Sequence, residues 1–215
     1  KEFFGRDIET MRAYMSTACS LASIGKHQQG TALVDEAYEW VKAINQTICT
    51  GLFFTYEALR NHQGGDWPAT IAACRQVLAL PPEGIEAFSH YLAYDFSASA
   101  HSHLGMHDTA FLLREQAREK RRMVGGGYLE EWCNACEAEI FLNAGKTDEA
   151  LDKASKVLGR LPPEEIFSRQ VAERVVACAL ARCGSGADEV SAHFQESLRL
   201  SDSAEFATQG LLTEL

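Results

Sequence analysis

The chain has 215 residues, of which 46% are hydrophobic and 23% are charged. This composition supports a buried core and excludes a disordered tail. The longest apolar runs are far shorter than the roughly 20 residues that cross a bilayer, so no membrane segment is predicted. Acidic residues number 30 and basic residues 20, and the resulting net charge of −10 argues against direct contact with nucleic acid.

Small residues recur along the chain with a period of 40. Glycine occupies positions 25, 65, 105 and 145, and the next position in register is Ser185, between Gly184 and Gly186. Each unit also has a small or β-branched residue seven positions before this mark and another five positions after it. The first set is Ala18, Ala58, Ala98, Ala138 and Cys178, and the second is Gly30, Thr70, Ala110, Ala150 and Val190. The pattern predicts two closely packed helices in each unit, joined by a turn at the glycine.

Taken in chain order, the pattern predicts five pairs of helices. First helices are predicted near 8–24, 50–63, 85–104, 128–144 and 164–183, and second helices near 28–45, 67–80, 107–123, 147–160 and 187–200. A last helix near 203–214 would cover the end of the stack. The repeats are therefore near 8–45, 50–80, 85–123, 128–160 and 164–200, within a single domain over 1–215.

Helix-start signals and breakers support these limits. Asp66 is a candidate N-cap with Pro68 in the first turn, and Thr147 is followed by two acids. Breakers stand at the unit boundaries, at 81–82, 125–127 and 162–163. No strand alternation or hairpin signal appears in the sequence.

The spacing of a small residue, a glycine seven positions later and a second small residue five positions after that resembles the tetratricopeptide repeat. The stretches 65–82 and 145–163 match best, through the second helix to the closing prolines. Repeats one, three and five are degenerate, and the period exceeds the usual value of about 34. The resemblance implies an all-α fold, an α-solenoid of about five helix hairpins with a C-terminal capping helix.

The C-terminal part of the chain is more particular. Glu131-Trp132 through Gly145, then Phe167 to Leu180 and His193 to Leu198, is similar to the C-terminal helical arrays of bacterial signalling proteins. In those proteins an ATPase module precedes the repeats, often beside a nucleotide cyclase or a DNA-binding domain. The resemblance implies a sensor or scaffold segment of a multidomain regulator. Since the chain begins with Lys, we expect it to be part of a longer protein.

In such a superhelix the first helices line a concave groove that binds an extended peptide, a partner helix or a ligand. The resemblance implies which residues face this groove. They are Arg12, Met15, Cys19, Ser23, Thr55, Leu59, His62, Gln63, Asp95, Ser99, His103, Trp132, Glu139, Asn143, Val175 and Arg182. The set has both signs of charge, unlike the Lys- and Asn-rich clamps that hold chaperone tails.

Trp132 has two interpretations. It is the best candidate anchor for a partner, because Trp dominates many interfaces. Alternatively, it packs between repeats four and five.

Several patterns that suggest chemistry have structural explanations. Cys133 and Cys136 form one CxxC without a second pair, so we interpret them as packing residues. His101, His103 and His107 surround the Gly105 turn, which breaks the helix, so we do not predict a metal site. The basic run 114–122 is interrupted by two glutamates and is interpreted as a solvated helix face. The seven cysteines favour a reduced, cytoplasmic protein.

These observations predict a non-enzymatic module without catalytic residues, metal or cofactor. We expect it to bind a protein, a peptide or another domain of its own chain in the groove, as part of a bacterial signalling or transcriptional regulator. A small-molecule effector is a further candidate ligand. The alternative function is self-association through the ends of the stack, which would produce a homodimer.

Overall fold

The computed structural model describes residues 8–125, 127 and 129–203, without the side chains of Ser23, His27 and Ser203. Over this range the prediction of an all-α fold is confirmed, and no strand is present. The helices are α1 (Ile8–Ser23), α2 (His27–Ile44), α3 (Thr47–Gln63), α4 (Trp67–Leu78), α5 (Ala87–His103), α6 (His107–Met123), α7 (Glu130–Asn143), α8 (Thr147–Arg160), α9 (Ile166–Cys183) and α10 (Ala187–Ser203), with a short 3-10 helix at Pro82–Gly84.

The predicted limits of these helices differ from the observed ones by at most three residues. Asp66 caps α4 as predicted, because its Oδ1 accepts a hydrogen bond from the Ala69 amide at 3.0 Å. The predicted capping helix near 203–214 lies almost wholly outside the described residues, since α10 is described to Ser203.

The four glycines in register end their helices in the left-handed conformation. Gly25, Gly65, Gly105 and Gly145 have φ between 73° and 76°. After Gly105, for example, the Met106 amide donates to the His101 carbonyl at 2.9 Å, which closes the last turn. In the fifth unit the left-handed residue is Gly184, one position before the register mark.

The small residues of the repeat allow the paired helices to approach closely. Ala18, Ala58, Ala98 and Ala138 are fully buried. A Cβ placed on Gly30 of α2 would lie only 3.0 Å from the backbone oxygen of Ala18 on α1. The prediction that these positions form the contact within each helix pair is therefore confirmed for this pair.

The helices pack in chain order. Each odd-numbered helix contacts the even-numbered helix that follows it, and successive odd-numbered helices from α1 to α9 also contact each other. Helices α4 and α8 pack against the next odd-numbered helix as well, whereas α6 contacts α7 only lightly. None of the described helices is both long and apolar enough to cross a membrane.

Candidate functional site

An aromatic cluster fills the space between the odd-numbered helices. At its centre lies Trp132 of α7, which is 3% exposed. Its ring lies 5.6 Å from Phe167, nearly parallel, and edge-on to Phe96 at 5.2 Å and to His62 at 5.1 Å. Of the two interpretations of Trp132, the structure supports the packed one, and the side chain contacts three other repeats rather than one.

Polar groups surround this aromatic cluster in pairs. His62 Nε2 lies 2.8 Å from Ser99 Oγ. His103 stacks on Trp67 at 4.0 Å, and its Nε2 lies 3.2 Å from Glu139 Oε2. The other oxygen of Glu139 accepts from Arg174 at 2.5 Å. Each of these groups satisfies a neighbour inside the protein, so the arrangement stabilises the stack.

Five of the predicted groove residues thus meet in one place, but not on an open surface. They are His62, Ser99, His103, Trp132 and Glu139, and all except His103 are buried. The His62 ring on α3 contacts the Trp132 ring on α7, so side chains from these two helices meet across the space predicted to be a groove. For His62, Ser99, Trp132 and Glu139 the prediction of an accessible position is corrected, because these side chains are buried, whereas His103 is half-buried.

The other predicted groove residues are dispersed. Met15, Cys19, Thr55, Asp95 and Val175 are buried, so for them too the prediction of an accessible position is corrected. Arg12 pairs with Glu86 at 2.6 Å, and Asn143 donates to Ser102 Oγ at 3.2 Å. Leu59 and Gln63 are half-buried, Arg182 is exposed and donates to the Leu142 carbonyl, and the Ser23 side chain is not described.

A second buried network corrects the interpretation of the basic run. Arg114 and Arg121 of α6 both donate to the carboxylate of Asp95, and Arg114 also donates to Glu137 at 2.8 Å. All four side chains are buried. The sequence could have predicted this burial, because the helical spacing puts Arg114 and Arg121 on the same face of α6 as the buried Ala110 and Ala117.

Charge pairing favours the ionised forms of Arg114 and Glu137. Burial by itself lowers the pKa of Arg114, but Asp95 and Glu137 raise it above its ordinary range. Burial raises the pKa of Glu137, but Arg114 and Lys153 together hold it below its usual value. The network is thus a set of mutually compensating charges, and loss of one member leaves another uncompensated.

His62 makes the stability of the protein sensitive to mild acid. Burial, followed by the positive field of His103, lowers its pKa from 6.5 to about 3. The unfolded chain therefore takes up a proton below about pH 6.5, whereas the folded chain does not, and stability falls as pH falls. We expect a loss of about 2 kcal/mol between about pH 7 and about pH 5 from this group.

Urea unfolding of the wild type and of His62→Gln across this range measures the effect. Gln retains a hydrogen bond to Ser99 without titrating, so its stability should depend less steeply on pH. The acid loss of Glu139, whose pKa Arg174 and His103 hold down despite burial, begins only at lower pH. Equal slopes for the two proteins would contradict the assignment.

Cys133, Cys136 and His101 lie in the core, whereas His103 and His107 are half-buried. Cys133 and Cys136 are free thiols, and burial raises the pKa of both well above the ordinary value. His101 is buried against the Ser97 carbonyl at 2.7 Å. Within the described ranges, no group of three His, Cys, Asp or Glu side chains is placed to hold a metal ion.

The outer surface of α6 is a candidate site that sequence reasoning missed. Large exposed apolar side chains in the described part of the chain are Tyr38, Leu104, Met106, Leu112, Met123 and Val124. All but Tyr38 lie on α6 or next to one of its ends, and Leu112 and Met123 are 62% and 70% exposed. Clefts also border this helix on both sides. In the sequence, this surface was indicated by apolar residues at those positions of the 40-residue repeat that face outward.

Comparison of the chain with protein-family models, with curated proteins and with solved structures found no match.

Proposed function

We propose that this chain is a non-catalytic helical-repeat module that binds another protein through the outer surface of α6. The helix pairs with a 40-residue period support an α-solenoid of the tetratricopeptide type. The resemblance of the C-terminal part to repeat arrays of bacterial regulators supports a role within such a regulator, with another domain of the same protein as a candidate partner.

The observation that carries the proposal is the placement of the exposed apolar side chains. Leu112, Gln116, Glu119 and Met123 are spaced by four, three and four residues, so they form one stripe along α6. Apolar side chains mark both ends of the stripe, while Glu115, Arg118 and Arg122 flank it. Such a stripe suits an amphipathic partner helix whose apolar residues meet Leu112 and Met123.

The filled interior supports the same choice of surface. Because the aromatic cluster occupies the space between the odd-numbered helices, a ligand there would have to displace Trp132 and the Glu139–Arg174 pair. Docking on α6 requires no such rearrangement. The proposed binding surface is therefore the outer face of the stack.

The double variant Leu112→Ser, Met123→Ser tests this surface. Affinity purification from the source cell, followed by titration of each purified partner, should show binding weakened by about thirtyfold or more. Both residues are exposed, so stability should change by less than about 1 kcal/mol. Tyr38→Ser on α2 is the matched control, since Tyr38 is also exposed and apolar. Equal losses in both variants, or none, would contradict the proposal.

Self-association is the second candidate function, and the α6 stripe favours it specifically. In an antiparallel pair of α6 helices, Leu112 of one copy meets Met123 of the other, and Glu115 lies on the same flank as Arg122 of the other copy. Such a contact pairs apolar with apolar residues and an acid with a base. Light scattering should then show a dimer that the double variant converts to a monomer, whereas a monomeric wild type at high concentration excludes this function.

A further inference from the structure

A cleft rich in arginine opens where α6 separates from α7. It has a volume of about 520 Å³, and it is lined by Arg114, Arg118, Arg121, Arg122, Gly125, Glu130 and Asn134. The cleft forms because α6 packs on α5 and only lightly on α7, while the chain between them passes through Gly125. A volume of this size accommodates a small organic ligand.

The buried arginines of the cleft are held in place by acidic side chains. Asp95 and Glu137 bind the terminal nitrogens of Arg114, and Asp95 binds Arg121. The Nε atoms of both side chains are buried and have no hydrogen-bond partner among the described residues. The acids therefore hold two guanidinium groups in the wall of the cleft, while the exposed Arg118 and Arg122 border its open side.

The charges at the cleft are mostly paired with one another, and Arg122 is the exception among its arginines. Asp95 and Glu137 compensate Arg114 and Arg121, and Glu115 pairs with Arg118 at 2.6 Å. Arg122 is exposed and forms no ion pair within the part of the chain that the structure describes. Lys153 adds a further positive charge against Glu137 at 2.5 Å. With Glu130 of the lining included, these charges are five positive and four negative, in a chain of net charge −10.

We propose that the cleft binds a small molecule that carries a phosphate or diphosphate group. Guanidinium groups match the oxygens of such a group in geometry and charge. Glu130 at the α7 side offers an acceptor for hydroxyl or amino groups of the same ligand, while the Asn134 oxygen already accepts from Arg114 at 3.5 Å. The net negative charge of the chain disfavours a long polyanion, so a compact phosphate ester is favoured over nucleic acid. This inference goes beyond the proposed function and does not require a protein on α6.

Calorimetric titration with pyrophosphate at constant ionic strength tests the proposal. We expect saturable binding with a Kd of about 1 mM or tighter. Arg122→Gln should weaken it about tenfold or more, since a charge-assisted contact is lost. Arg75→Gln is the matched control, because Arg75 is also exposed and lies in the last turn of α4 as Arg122 does in α6. Circular dichroism should show both variants folded.

The outcomes separate the alternatives. Binding of pyrophosphate that Arg122→Gln weakens and Arg75→Gln does not supports the proposal. Absence of saturable binding, or equal weakening in both variants, overturns it. A phosphoserine peptide that binds more tightly than pyrophosphate overturns the assignment to a small molecule. Because Leu112 and Met123 lie outside the lining of this cleft, the double variant Leu112→Ser, Met123→Ser should bind pyrophosphate normally.

Discussion

Asp95→Asn is expected to destabilise the protein by about 3–5 kcal/mol, because it leaves buried guanidinium charge uncompensated. Asp95 accepts hydrogen bonds from both Arg114 and Arg121, and all three side chains are buried. Asn keeps one acceptor oxygen, places an NH2 donor where the other oxygen was, and supplies no negative charge. Arg114 retains Glu137, so Arg121 loses most. The change should appear in the urea midpoint without a change in the slope of unfolding.

Two further variants make this expectation specific. Glu119→Gln removes an exposed acid from α6 and should change stability by less than about 0.5 kcal/mol. The double variant Asp95→Leu, Arg121→Met removes an acid and a base together, and it should recover part of the loss. If Asp95→Asn costs less than about 1 kcal/mol, the network is no stronger than a surface ion pair, and our account of it is wrong.

Trp132→Ala is expected to cost about 3–5 kcal/mol, as for other buried aromatic residues. The ring is in contact with aromatic groups from α3, α5 and α9, so its removal leaves a cavity between repeats two to five. Trp132→Phe keeps part of the ring contact and should cost less. Thermal and urea unfolding of both variants measure the difference.

Truncation of the exposed Leu112 is expected to have little effect on stability, unlike truncation of Trp132. Leu112→Ala should alter stability by less than about 0.5 kcal/mol, because the side chain is 62% exposed. Partner binding should respond in the reverse order, with a larger loss for the α6 variants than for Trp132→Phe. A stable Trp132→Ala variant that loses only partner binding would restore the anchor interpretation.

The helices could be predicted closely because local signals determine them. A glycine every 40 residues ends a helix through its own backbone freedom, and Asp66 caps α4 through a neighbouring amide. The small residues at Ala18 and Gly30 predicted a close approach, and a Cβ on Gly30 would lie only 3.0 Å from the Ala18 carbonyl oxygen. None of these features needs knowledge of a distant part of the chain.

The candidate site was predicted less well, because its residues depend on several helices at once. The sequence pointed to His62, Ser99, His103, Trp132 and Glu139, and the structure does bring them together. It could not show that they face inward, since this depends on how tightly successive repeats curve. For the same reason, the sequence analysis missed that α6 has a buried charged face and an exposed apolar face. The helical spacing of Arg114 and Arg121 with Ala117 did indicate the buried face.

By itself the sequence determined the all-α class, the five helix pairs and the turns between them, because hydrophobic period, caps and glycines act within about one helix pair. The tertiary structure alone decided which charges are buried and which apolar side chains remain outside. That decision depends on the angle between successive pairs, which many weak contacts across the stack set together.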